Sequence, residues 1–231
     1  MTWRVALTTT PDRADVMGPS LRRKGLAPVS LPCTEALPAD ADVLESARRS
    51  AATSDLLVLT SARVVEVLWP DANMPPVPVA AVGPATAAAV TGAGGLVTVV
   101  GAGGGADLVA AIADSSRGKK VAYPHGSGAD PATVESLRAS GVNVTAPVVY
   151  ETRPIPPGDV DVDGVLFASP MAVDGWHLSR TLDDLVVGAI GHSTASALHR
   201  AGSPPHVIPE QPSFERLVDL VALELTERST V

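Results

Sequence analysis

The stretch "LTSARVVEVL" (Leu59–Leu68) returns later in the chain as "FASPMAVDGWHL" (Phe167–Leu178): an apolar run, a small hydroxyl residue, then helical spacing. "AVGPATAAAV" (Ala81–Val90) has its own echo in "AIGHSTASAL" (Ala189–Leu198). Ser61 and Ser169, Gly83 and Gly191, and Thr86 and Thr194 each stand 108 positions apart. A second offset, 116, joins Val5 to Val121 and Ser20 to Ser136. Shared spacing marks an internal repeat. The chain reads as two copies of an α/β unit, each with a strand-Ser-helix turn and a strand-Gly-x-x-Thr-helix turn.

Outward from these phrases, short aliphatic runs alternate with helical stretches. Strands are expected from Trp3, Asp55, Pro78, Lys120, Asp163 and Val186, each run ending in Gly, Pro, Ser or Thr. Helices are clearest in "SARVVEVL", "GPATAAAV", "DPATVESLRAS", "STASALHRAG" and "SFERLVDLVALEL". Such alternation predicts an α/β protein with mainly parallel, buried strands. In "RADVMGPSLRRKG" the Gly18-Pro19 pair is expected to kink a helix or delay its start to Pro19. From Ala72 to Ala106 no residue is charged. Pro75, Pro76, Pro78, Pro84 and several glycines divide that segment into pieces shorter than the ~20 residues a bilayer needs, so it reads as strand, turn, helix, strand.

With 231 residues, 45% of them hydrophobic, the chain can bury one large core or two modest ones. A net charge of -8 and only 3% aromatics argue against a nucleic-acid surface. Cys33 is the single cysteine and cannot form an internal disulfide. The start "MTWRVALTTTPDRAD" lacks an apolar signal segment, so a cytoplasmic protein with no membrane partner is expected. Neither metal-ligand spacing, a nucleophile elbow nor a phosphate loop occurs.

In a parallel sheet, strand ends lead into helix N-termini, whose unpaired N–H groups and dipole favour anions. Ser and Thr in those turns either cap the helix or donate to a ligand. Gly lets a ligand approach the backbone. Doubled turns therefore suit a large ligand with several negative groups.

Taken with "KVAYPHGSGADPATVESLRASGVNVTAPVVYETRP" (Lys120–Pro154), the repeated phrases resemble the uroporphyrinogen-III synthase family, in that family's order and over nearly the whole chain. The resemblance implies two similar parallel-sheet α/β domains joined by two extended linkers, with the active-site cleft between them. Residues 1–34 and 152–231 would form the first domain and 35–151 the second. The linkers would be Ala27–Leu37 and Ala146–Pro154, a hinge for the cleft. It implies no cofactor or metal, and a monomer is expected. The implied substrate is hydroxymethylbilane, a linear octacarboxylate tetrapyrrole, closed to uroporphyrinogen III with its last ring inverted and water lost.

Residue by residue, the family's phrases fall on Thr60, Ser61 and Arg63, on Gly83, Pro84 and Thr86, on Ser169 and Pro170, and on Gly191, Ser193 and Thr194. The resemblance makes these substrate contacts; Arg63 reads equally as a solvated helix charge. His125, Gly126 and Ser127 add donors, or His125 is a surface-loop residue. Tyr150 matches the family's linker tyrosine and is the candidate acid for the leaving hydroxyl, since a phenol keeps its proton at neutral pH. Packing between domains is its alternative role. The chain departs from the family in Thr9-Thr10-Pro11, which lacks an arginine, and in Ala168, which stands where a threonine often does.

Two rivals follow from the same sequence. Gly101, Gly103 and Ala106 match a dinucleotide-binding fingerprint, but no acidic residue ends the next strand. A non-catalytic tetrapyrrole-sensing module of the same fold would bind the bilane without turning it over.

Overall fold

A computed structural model describes residues 2–228. In chain order the elements are β1 (Arg4–Leu7), α1 (Pro11–Arg23), β2 (Ala27–Ser30), β3 (Thr34–Pro38), α2 (Ala41–Ala52), β4 (Leu56–Leu59) and α3 (Ala62–Leu68). Next come β5 (Pro78–Ala81), α4 (Pro84–Gly92), β6 (Leu96–Val100), α5 (Gly105–Ser116), β7 (Lys120–Ala122), β8 (His125–Gly126) and α6 (Pro131–Ala139). The rest are β9 (Asn143–Thr145), β10 (Val148–Pro154), β11 (Gly164–Phe167), α7 (Pro170–Trp176), β12 (Val186–Ala189), α8 (His192–Arg200) and α9 (Phe214–Arg228).

The chain divides into two compact units: Met1–Glu35 with Arg153–Val231, and Ala36–Thr152. The first unit holds a parallel sheet of order β12-β11-β1-β2 and the second a parallel sheet of order β6-β5-β4-β7-β9. The crossing segments β3 and β10 pair with each other, and β8 joins them.

The two offsets read from the sequence reappear as strand register. Leu57 pairs with Val79 in the second unit, and Val165 with Val187 in the first. Lys120 pairs with Asn143 where Arg4 pairs with Ala27, and Leu56 with Val121 where Gly164 pairs with Val5. The sheet β5-β4-β7-β9 is therefore the sheet β12-β11-β1-β2 threaded in a different chain order: β1, α1 and β2 open the first unit, while their equivalents β7, α6 and β9 close the second.

Helices cover both faces, which is why the central strands are apolar on both sides. In the first unit Val5, Leu7 and Val186 face Leu217 and Val221 of α9, while Ala6, Val165 and Val187 face Trp176 of α7 and Leu198 of α8. In the second, Val58, Ala80 and Val121 pack with Leu108 and Ile112 of α5, and Leu57, Val79 and Ala122 with Val64 and Leu68 of α3 and Val90 of α4. Gly188 lets α9 lie close to its strand: a Cβ there would sit 2.9 Å from Leu217 Cδ1 and from Val221 Cγ2.

Two expectations are corrected. Helix α1 starts at Pro11 and passes through Pro19. Pro11 in the first turn is pre-set for helix, and the first turn closes with Ala14 N–H on Thr10 O at 2.9 Å, so the helix is established before the missing Pro19 donor matters. Ala27–Ser30, expected as the start of a linker, is instead β2, the edge strand of the first sheet. An edge position tolerates Pro28, which has no N–H to offer. The uncharged segment from Ala72 resolves into β5, α4 and β6, and among the described residues no helix is long and apolar enough to cross a membrane.

Candidate active-site turns

Parallel strands deliver all their following turns to one edge of the sheet, where open α/β folds bind ligands. In the second unit the turn after β4 carries Thr60 and Ser61, and the turn after β5 carries Gly83. Val82 N–H donates to Leu59 O at 2.9 Å, tying the two turns side by side. In the first unit Ile190 N–H does the same to Phe167 O at 3.0 Å, beside Ser169 and Gly191.

The four helices leaving these turns fall into two kinds. Ser61 caps α3 by accepting from Arg63 N–H at 3.2 Å, and Ser169 caps α7 by accepting from Ala172 N–H at 3.2 Å. Pro170 opens α7 as Pro84 opens α4. Helices α4 and α8 have glycine caps, Gly83 and Gly191, and no side chain caps either one. Their first amides, including those of Thr86 and Ser193, thus lack the side-chain acceptor that α3 and α7 possess. Both glycines are fully extended, at φ -173° and -176°, a conformation open to any residue. A Cβ on Gly83 would meet nothing nearer than 3.8 Å, and on Gly191 nothing nearer than 3.4 Å. Backbone angle and packing do not require glycine at either position. Thr86 and Thr194 are buried one turn in, and among the described residues Thr194 Oγ1 has no hydrogen-bond partner.

A second cluster lies in the same Ala36–Thr152 unit. Tyr150, on β10, stands opposite Gly126 of β8 and donates its phenol to Ser61 Oγ at 3.3 Å. Its ring crosses Gly126 so closely that a Cβ there would fall 2.7 Å from Tyr150 Oη. Ser127 N–H donates to Tyr150 O at 2.9 Å, and the Ser127 side chain is exposed. His125 Nδ1 sits 2.9 Å from Gly126 O. Its ring stacks on Tyr123, centroids 4.9 Å apart and planes 25° from parallel. Tyr123 Oη is 3.1 Å from Thr60 Oγ1. Arg63 forms an ion pair with Glu66 at 2.7 Å, so any anion it meets competes with that carboxylate.

Thr60, Ser61, His125, Gly126, Ser127 and Tyr150 are thus gathered in one unit with Gly83, Pro84 and Thr86, while Ser169, Pro170, Gly191, Ser193 and Thr194 belong to the other. Tyr123 was missed by the sequence reading, which includes it only within the strand run from Lys120. The signal lay in the repeat: the 116 offset sets Tyr123 against Leu7, a hydroxyl where the other copy has none.

Other reactive groups are silenced. Burial pushes the Cys33 thiol up to about 12, with Arg180 pulling it the other way, and its Sγ rests on Leu31 O. The dinucleotide-like glycines are used by the protein itself: Gly101 N–H donates to Ala81 O and Gly103 N–H to Val82 O. A Cβ on Gly101 would lie 2.9 Å from Val82 O, so its small size serves a strand contact. The strand concerned, β6, is at the sheet edge rather than at its centre.

The fold is similar to that of a uroporphyrinogen-III synthetase from Helicobacter pylori, with TM-score 0.67, 18% identity, and coverage of 97% of this chain and 100% of that one. A mutant uroporphyrinogen III synthase from Thermus thermophilus matches with TM-score 0.55, 18% identity, and coverage of 98% and 100%. No curated protein matches significantly. A family model described as uroporphyrinogen-III synthase HemD matches residues 15–219, nearly the whole repeat, and on that match the chain belongs to the uroporphyrinogen-III synthase family.

Proposed function

We propose that the chain converts hydroxymethylbilane to uroporphyrinogen III, inverting the terminal pyrrole and releasing water. The observation that carries the site assignment is the pair of glycine-capped helices, α4 and α8, whose leading amides lack side-chain acceptors and whose glycines are demanded by neither packing nor backbone angle. Amide donors at a helix N-terminus suit carboxylates, and the substrate is a chain of them. Long-range attraction does not help a protein of charge -8, so local donors must do the holding.

Little further chemistry is asked of the protein, because the electron-rich pyrrole expels its own hydroxyl. Tyr150 gives its proton to the departing oxygen as the C–O bond breaks, exchanging its hydrogen bond to Ser61 for one to the substrate. The resulting cation is attacked by the substituted α-carbon of the last ring to give a spirocyclic intermediate. The older bond from that carbon to its methylene bridge then breaks, the freed methylene re-bonds at the unsubstituted α-carbon of the same ring, and the proton that carbon loses on aromatisation returns to the phenolate. The turns supply orientation by holding the flexible chain curled. Ser61, Thr60, Thr86, Ser169, Ser193 and Thr194 offer hydroxyls to the carboxylates, His125, Gly126 and Ser127 border the acid, and Arg63 adds a charged contact in exchange for Glu66.

Freshly made hydroxymethylbilane, incubated with the chain, oxidised and separated by isomer, tests this reading. An excess of the type III product over the enzyme-free control supports it. Bilane that is bound and still closes only to type I identifies the chain as a binding module instead.

A further inference from the structure

The chain has two tyrosines, and their hydroxyls reach consecutive residues: Tyr150 to Ser61, and Tyr123 to Thr60. The side chain of Tyr123 is only 1% exposed and packs in the core beneath α5 and α6. A buried phenol needs a partner, and this one has taken Thr60, which is only part-buried. The internal repeat supplies a comparison within the same molecule. The two offsets place Leu7 at the position of Tyr123 (116 residues earlier) and Ala168 at that of Thr60 (108 residues later). Both hydroxyls are missing together in the first unit, yet β11 still leads through an N-cap serine, Ser169, into α7, with the same strand register. The fold of the turn therefore does not depend on the pair.

Resting on the reading of the Thr60-Ser61 turn as a carboxylate site, we infer that Tyr123 is a positioning residue: its phenol donates to Thr60 Oγ1 and so turns the threonine proton outward, toward a substrate carboxylate. Carboxylates only accept, so every donor in the relay Tyr123 to Thr60 to carboxylate points the same way. Aligned hydrogen bonds of this kind polarise one another. Without the phenol, the threonine hydroxyl is free to turn back toward the buried ring. The stack of His125 on Tyr123 keeps the ring, and with it the phenol, in place.

The probe is uroporphyrin III, an octacarboxylate macrocycle whose fluorescence reports binding without turnover; the KM for hydroxymethylbilane is measured alongside. Tyr123→Phe keeps the ring and the stack and removes one oxygen. It is expected to raise Kd and KM about three- to tenfold, the range of one neutral hydrogen bond, with kcat within about twofold. Thr60→Val is expected to do at least as much, and Thr60→Ser, which keeps the hydroxyl, to bind like the unaltered chain. The double variant Tyr123→Phe/Thr60→Val should be no weaker than Thr60→Val alone, because Tyr123 acts through Thr60. Unchanged affinity in Tyr123→Phe, full multiplication of the two effects in the double variant, or no binding by the unaltered chain would overturn the inference. Should Tyr123→Phe fail to fold, the contrast between Thr60→Val and Thr60→Ser decides alone, equal affinity of the two overturning it. Normal macrocycle binding with these effects but no type III product would leave this inference standing and remove the proposed function.

Discussion

Tyr150 Oη donates to Ser61 Oγ at 3.3 Å, joining residues 89 positions apart. The same oxygen of Ser61 already accepts from Arg63 N–H at 3.2 Å. The phenol is thus held by a long bond to an acceptor with a second donor, an arrangement from which its proton can be redirected to a better acceptor. Tyr150→Phe is expected to slow type III formation roughly a hundredfold, the lower end for a lost general acid, and to leave a measurable residual rate. An unchanged kcat would remove Tyr150 from the chemistry.

Gly126 is the floor under that ring. Gly126→Ala places a methyl where the Tyr150 ring lies, so the ring must move. The expected outcome is a rate loss comparable to Tyr150→Phe together with about 1–3 kcal/mol of destabilisation from overpacking. Combining both substitutions should cost little extra activity. Full activity in Gly126→Ala would show that the position of Tyr150 is immaterial.

Gly188 tests the repeat away from the site. Its counterpart 108 positions earlier is Ala80, which has room for its methyl against α5. Gly188→Ala pushes Leu217 and Val221 of α9 outward and should lower the unfolding free energy by about 1–3 kcal/mol, read from the shift of the denaturation midpoint. Type III activity per folded molecule should persist.

His206 gives stability a pH dependence. Its Nδ1 accepts from Val187 N–H at 2.9 Å, and its own amide donates to Val187 O at 2.8 Å. Burial, with help from Arg228 and against Glu224, holds its pKa below the ordinary 6.5. The unfolded chain therefore takes up this proton before the folded one. The contribution is complete above pH 6.5 and is lost as pH falls through that value toward the folded pKa. Urea midpoints measured from pH 8 to pH 5 should decline, and His206→Gln should flatten part of that decline. The same slope in both chains would contradict the assignment.

The sequence displayed its central strands because burial on both faces makes them continuous apolar runs, and the equal offsets of Ser61, Gly83 and Thr86 from their partners carried straight into strand register. Helix α2 went unseen because it buries only Ala47 and Ala51 and otherwise reads as a charged surface. Strand β9 escaped because its three residues are mostly exposed. Most site residues were legible as turn chemistry. The contact of Tyr123 with Thr60 was not, since 63 positions separate them and no local pattern links a buried strand residue to a distant turn. That neither packing nor strain demands glycine at 83 and 191 needed coordinates to see.

The central claim is that bare amides at Gly83 and Gly191 hold the bilane. It is tested most directly by the rate of type III formation in the Gly83→Ala/Gly191→Ala chain beside the unaltered one. Each alanine fits its space in the protein and costs the helix cap about 1 kcal/mol or less, so the variant should remain folded by circular dichroism. A drop of at least about tenfold, the equivalent of one charge-assisted hydrogen bond, is the predicted result. A folded variant that produces type III as fast as the unaltered chain would contradict the account.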